Sequence, residues 1–376
     1  MNAPTSMTQV TFEMPARDIR RRIRNDLPPD AFARRPWLGL WLIPSTGLII
    51  VISVLIVNGS IPIVFTPLLS IFMGALYGSM WFLGHEISHG AVVRTQWLQT
   101  TMLYWAFAVF LLSPHLWQIW HVQVHHSQAN IRKRDPDNYG YIEDIDDILL
   151  KPIALRFAPG SSFLISILYL FVSFTIFGQT ILWFAGVRYQ GFERLNQRRA
   201  ALDSLFMAAF WVILGGWLGP LNALWIIIIP MMIANYSIMS YIITNHSLRP
   251  FIKANEPIEN SMSVTSFKLF DWLFFNFSHH IEHHLFPRMS SAFLPLVRKW
   301  LIEHVPNRYL APPHWRALFM IYKTPRVHGD NDTLVDPFTG REVSIREVEA
   351  NLRKHTKWVG ANAQPTSVSH TPRPPE

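Results

Sequence analysis

Eight histidines of the chain fall into three short clusters at the ends of apolar segments. The first is His85-Glu86-Ile87-Ser88-His89, the second His121-Val122-Gln123-Val124-His125-His126, and the third His280-Ile281-Glu282-His283-His284. Neutral imidazole is the commonest protein metal ligand. Residues three and four apart share a helix face. On an α-helix, His85 and His89 converge, as do His121 and His125, and His280, His283 and His284. His126 lies one position off its stripe and reaches toward a neighbouring ion. Eight imidazoles exceed what one four-coordinate zinc accepts. They suit two iron ions side by side. A lone buried histidine is usually structural, and a single His-x-x-x-His pair is weak. Three related clusters at segment ends are a much stronger signal.

The elements that must position these clusters are membrane helices. Of 376 residues, 50% are hydrophobic and 15% charged. With long uncharged runs, that composition indicates a polytopic membrane protein. The runs Trp37–Asn58, Ile61–Leu83, Ala201–Leu218 and Leu221–Thr244 are of spanning length. Asn58-Gly59-Ser60 and Gly219-Pro220 join them into two tight hairpins. The expected fold is therefore all-α and membrane-embedded: four spanning helices, interfacial or re-entrant helices, and a cytoplasmic histidine-rich cap.

Charge sets the orientation. Arg17, Arg20, Arg21, Arg22, Arg24, Arg34 and Arg35 precede the first span, which places the N-terminus in the cytoplasm. The net charge of +8 is carried largely near segment ends, which argues against a nucleic-acid partner. Arg188, Arg194, Arg198 and Arg199 read as cytoplasmic as well. Leu98–Ser113 and Ser161–Gly186 are apolar, but a single crossing by either would put the clusters on opposite sides. Both are therefore expected to be re-entrant or in-plane. The chain divides into a basic arm (residues 1–36), a membrane domain (37–300) and a cytoplasmic C-terminal extension (301–376), disordered after about residue 356. Pro287 limits the helix carrying the third cluster. The absence of cysteine excludes thiolate-held zinc, haem and iron–sulfur clusters in this chain.

The three clusters, as His-x-x-x-His, His-x-x-x-His-His and His-x-x-His-His, resemble the boxes of the membrane fatty acid desaturase family. That family also includes related hydroxylases and carotenoid oxygenases. The second box continues into Asn130 and Asp135-Pro136-Asp137, as in the family. The third lies in Asn276-Phe277-Ser278-His279-His280-Ile281-Glu282-His283-His284-Leu285-Phe286-Pro287, close to bacterial acyl-desaturase forms. The resemblance covers roughly residues 37 to 300. It implies a di-iron centre using molecular oxygen to introduce a double bond into a long acyl chain. The chain would be carried on lipid, coenzyme A or acyl carrier protein. It further implies that His246, at the end of a span, is a ninth ligand, and that Asn245 hydrogen-bonds a metal-bound water. The family motif favours His280 over His279 as ligand, leaving His279 in the surrounding shell. A glutamine opens this box in many front-end desaturases, and His280 stands here instead.

Imidazole ligands bring no charge, so nearby carboxylates should offset the metals and orient the rings. Glu86, Glu282, Asp135 and Asp137 are the candidates. No flavin or nucleotide fingerprint or cytochrome-b5-like segment is present, so electrons should come from a separate carrier such as ferredoxin with its reductase. Two alternatives carry weight. A carotenoid ketolase or hydroxylase, or a lipid hydroxylase, would share the centre. A membrane zinc peptidase would use His85-Glu86-x-x-His89 with Glu86 as base, but leaves the other boxes unexplained. The setting expected is a multi-pass protein of the bacterial inner membrane, surrounded by its lipids, with both termini and the active site cytoplasmic.

Overall fold

The computed structural model describes residues 14–138, 142–145, 151–185 and 189–356. The tail expected to be disordered, and Arg188, lie outside them. Among the described residues, four helices are long and apolar enough to cross a membrane: α2 (Pro36–Val57), α3 (Ile63–Ser88), α7 (Gln197–Leu218) and α8 (Pro220–His246). They form the two expected hairpins. Gly59 (φ 65°) turns the first and Gly219 (φ 75°) the second. Positive φ favours glycine. The spans are unequal. Half or more of α3 and α8 is buried, whereas α2 and α7 present mostly apolar surface outward. The inner pair is thus α3 and α8, and these two carry histidines at their ends. Gly74 lets them approach: a Cβ there would stand 2.5 Å from Ile233 Cβ and 2.8 Å from the Pro230 carbonyl.

Between the hairpins lie the two segments expected not to cross. The first is a helix pair, α4 (Gln96–Phe110) and α5 (Pro114–Gln128), bent by 102°. The break falls at Leu111, which takes a left-handed φ of 55°. The Ser113 hydroxyl then caps α5 by accepting from the His115 and Leu116 amides. α4 starts seven residues after His89, and α5 carries the second box beside His89, so the pair returns to the side it left. The second segment is α6 (Leu170–Phe184). It lies against α8, where the Thr175 amide donates to Asn235 Oδ1 at 2.8 Å. Near its end the Leu182 carbonyl accepts from Gln197 Nε2, at the start of α7, at 3.0 Å.

A cap closes over the box-bearing ends of the spans. α9 (Lys268–Leu273) keeps Leu269 and Trp272 exposed, as an interfacial helix should. α10 (His280–Leu285) carries the third box and ends two residues before Pro287. α11 (Leu294–His304) packs behind it. The basic N-terminal arm is not merely a solvated strand of charge. It forms α1 (Ala16–Asp26), whose Ala16, Ile19 and Ile23 make one buried stripe. That stripe packs in a core with Ile281, Leu285, Val297 and Leu301. Trp300 Nε1 donates to Asp26 Oδ2 at 2.7 Å.

Residues beyond 300 join the same cap rather than trailing from it. α12 (His314–Lys323) stacks His314 on Tyr241 of α8 at 4.1 Å. A small antiparallel sheet, β1 (Val327–His328), β2 (Thr333–Val335) and β3 (Glu342–Ser344), leads into α13 (Ile345–Arg353). Glu349 of α13 meets buried Arg249 at 2.7 Å.

Candidate metal centre

The nine histidines singled out in the sequence gather into two adjoining clusters. His85, His89, His121, His126 and His283 form one, and His125, His246, His280 and His284 the other. Within each, one ring nitrogen per residue lies within 4.8 Å of all the others. The residues come from four places. His85 and His89 end α3, His246 ends α8, the second box lies on α5, and the third on α10.

The partition corrects the simple helical-face argument in two boxes. His121 and His125 do meet, beside Asp137, but they are also divided between the larger clusters: His121 joins His126 in the five-histidine cluster, and His125 joins the other. The cause is local: Gln118–His125 is a π-helical turn, closed by the His126 amide donating to the His121 carbonyl. Its longer repeat brings a residue five positions on much nearer to the face of the first than an α-helix would. In the third box His280 and His284 stay together, four apart, while His283 turns to the other cluster. His121 and His125 remain close, with rings nearly parallel at 5.1 Å and Asp137 beside both.

The donor set suits cations. His85 Nε2 and His121 Nε2 are 2.9 Å apart, His121 Nε2 and His126 Nε2 3.2 Å, and His126 Nε2 and His283 Nε2 3.1 Å. In the other cluster His246 Nε2 and His280 Nε2 are 2.7 Å apart. A ring nitrogen carries either one proton or one lone pair. His121 Nε2 therefore cannot serve two neighbours as well as a shared cation would. Nitrogens about 2.1 Å from one metal and at right angles lie roughly 3.0 Å apart, close to what is seen. Among the described residues, His89 Nε2 and both nitrogens of His284 are buried without a hydrogen-bond partner. Burial pushes the His283 imidazole down to about 3, so it is neutral and ready to coordinate near pH 7.

The surrounding shell fixes the rings. His125 Nδ1 donates to Asp135 Oδ1 at 2.9 Å and lies 3.3 Å from Asp137 Oδ2. Asp135 is held in turn by the Asn130 and Asp137 amides. Asp137 also accepts from Trp120 Nε1. Asn130 ties the second box to α8, donating to the His246 carbonyl at 3.1 Å. His246 Nδ1 faces the Asn260 carbonyl at 3.3 Å, which directs Nε2 inward. Trp117 stacks on His121 at 4.2 Å. Both side-chain polar atoms of Asn245 are buried and unpartnered among the described residues. His279 stays outside both clusters, its Nδ1 on the Ser278 hydroxyl and the Asn276 carbonyl.

Two of the expected carboxylates work elsewhere. Glu86 accepts from the Ser290 hydroxyl, the Ser291 amide and the Ser291 hydroxyl, pinning α3 to the loop before α11. Both its oxygens are engaged there, so Glu86 acts as a brace of α3 rather than as an orienter of ligand rings. Glu282 is fully buried and accepts from Ser263, Arg298 and Tyr309. Burial pushes this carboxyl up, but Arg298, His279 and the Ser263 and Tyr309 hydroxyls together hold the group below its usual range. Arg298 also donates to the Val264 and Ser278 carbonyls, so it clamps α10 in place. Arg298, Tyr309 and Asn260 were not anticipated. A weak signal existed in Asn255 and Asn260, two carboxamides in the polar stretch between His246 and the third box.

A model of the fatty acid desaturase family matches residues 59–316, which include all nine histidines. The chain belongs to that family. No curated protein matches it significantly.

Proposed function

We propose that this fatty acid desaturase family member is a di-iron, oxygen-dependent acyl desaturase that introduces a double bond into a long membrane-borne acyl chain. The observation that carries the reading is the pair of all-histidine clusters, five and four residues strong, at the inner ends of two buried spans. Iron is the metal chosen because imidazole suits it and because unactivated methylenes require an oxidant no side chain supplies. Two irons held there would supply oxygen activation, with dioxygen reduced to water by two electrons from the acyl chain and two from an external carrier.

The protein's own residues bind, orient and exclude. Asp135 and the Asn260 carbonyl fix the His125 and His246 rings from behind. Trp117 fixes His121 by stacking. Asn245, unpartnered and next to His246, offers a donor and an acceptor to a water in the centre. Aromatic side chains wall the site: Trp81, Phe82, Trp117, Trp120 and Phe274 are buried around it, whereas Trp272 faces outward. A dry wall protects a strong oxidant from bulk water. Arginines 194, 198 and 199 at the start of α7 support a cytoplasmic cap, in keeping with a bacterial inner membrane. A topology reporter fused after Arg194 that reads the periplasmic side would refute that orientation.

The test is lipid profiling in a host with saturated acyl chains, with and without a co-expressed ferredoxin and reductase. New unsaturated chains are expected only with the donor, with double bonds located by mass spectrometry. Hydroxylated chains, or oxidised carotenoids in a pigment-producing host with unchanged lipids, would move the assignment to the hydroxylase or ketolase.

A further inference from the structure

Two cavities meet at one side of the five-histidine cluster. The inner one is narrow and lined by His85 and His283 together with Phe82, Phe275, Phe277 and Ser291. The outer one is a wide groove lined by Trp37, Leu40, Trp41, Trp272, Phe275 and Ser291. Phe275 and Ser291 belong to both, so these two residues separate the groove from the metal-binding imidazoles. The groove lies where α2 enters the membrane. Trp37, Leu40 and Trp272 there are each more than 60% exposed, the pattern of a lipid-facing interface. Its polar features sit at one edge, where Asp271 and Asn276 line it.

The backbone at the junction is unusual. Phe275 and Asn276 are consecutive left-handed residues, with φ of 51° and 52°. This conformation is uncommon outside glycine, and more so for a bulky side chain. It is held by hydrogen bonds from the Asn276 amide to the Asp271 carbonyl, at 2.7 Å, and from Asn276 Nδ2 to the Ser291 carbonyl, at 3.0 Å. Backbone strain of this kind persists where the surroundings impose it, and it clusters at ligand clamps and gates. The left-handed turn puts the Phe275 side chain at the boundary of the two cavities. Ser291 opposite is anchored through Glu86 to α3, so one wall is fixed and the other is a single aromatic side chain.

We infer that the groove admits the acyl chain of a bilayer lipid sideways from the membrane, and that Phe275 gates its passage to the five-histidine cluster. This rests on the acyl-desaturase reading above. An apolar chain gains from leaving water but little from leaving lipid, so access from the bilayer requires a laterally open groove, which this is. The Trp37 and Trp272 rings at the rim would hold the ester region at interface depth, and the methylenes would run inward past Phe275 to His85 and His283.

The test is photolabelling of the full-length protein in vesicles of phosphatidylcholine whose acyl chain bears a diazirine, with labelled residues mapped by mass spectrometry. It needs no turnover, so its outcome is independent of whether the chain desaturates. Label is expected on groove residues and on Phe277. Ala292→Trp, at the exposed groove wall, should abolish label on Phe277, and Phe275→Gly should increase it. Leu40→Trp provides a second block if Ala292→Trp does not fold. Val54→Trp, in a separate groove between α2 and α7, should leave the Phe277 label unchanged. Label absent from the groove, label confined to the separate groove between α2 and α7, or Phe277 label unaffected by the folded blocking variants would overturn the proposal. A water-soluble acyl-coenzyme A probe that labels Phe277 equally in wild type and the blocked variants would place access on the aqueous side instead.

Discussion

Replacing His284 by alanine should abolish turnover while leaving the protein folded in the membrane. Both His284 ring nitrogens are buried and unpartnered among the described residues, so the ring contributes no hydrogen bond that the fold would lose. Its loss removes one of four donors from the smaller cluster. Alanine in place of a ring leaves a cavity costing about 2–4 kcal/mol by analogy with other large-to-small changes. That is a measurable drop in melting temperature, but it does not explain total inactivity. Metal-dependent loss is recognised by comparison with His279→Ala. His279 is equally buried and belongs to the same box, yet stands outside both clusters. That variant should retain turnover. Equal inactivation of both variants would mean that the partition of imidazoles does not describe the centre.

The second large effect is on stability. Arg298→Leu should destabilise the cap by about 3–5 kcal/mol, because it strands the buried Glu282 carboxylate without its cation. Arg298 Nε meets Glu282 Oε1 at 2.9 Å, and the guanidinium also closes onto two carbonyls of neighbouring segments. The double change Arg298→Leu with Glu282→Gln should recover part of the loss, since Gln keeps hydrogen-bonding capacity without charge. Thermal unfolding in detergent measures both. A single variant as stable as wild type would show that water, rather than Arg298, satisfies Glu282.

Much of the site could be read from the sequence because its signal is local. The boxes are short strings, and the spans that deliver them are uncharged runs of spanning length. His246 was found from its place at the end of a span and from the family likeness. The re-entrant segments followed from parity, since boxes that meet cannot lie on opposite sides. What escaped was conformational or long-range. The π-helical turn at Gln118–His125, which brings His126 as well as His125 close to His121, leaves no mark in the spacing of the box. The Glu282 clamp joins residues 16 and 27 positions apart with no periodic pattern. Expecting Glu86 and Glu282 to orient ligand rings followed from their place inside the boxes, but on a helix adjacent residues point in different directions. The left-handed turn at Phe275-Asn276 carries no glycine to announce it.

The central claim is that the two clusters hold two irons, and metal analysis of the protein purified from iron-replete cells tests it most directly. Elemental analysis should give about two irons per chain for wild type and about one for His284→Ala, with the five-histidine site retained. A single zinc per chain in wild type, unchanged after iron reconstitution and unaffected by His284→Ala, would contradict the account.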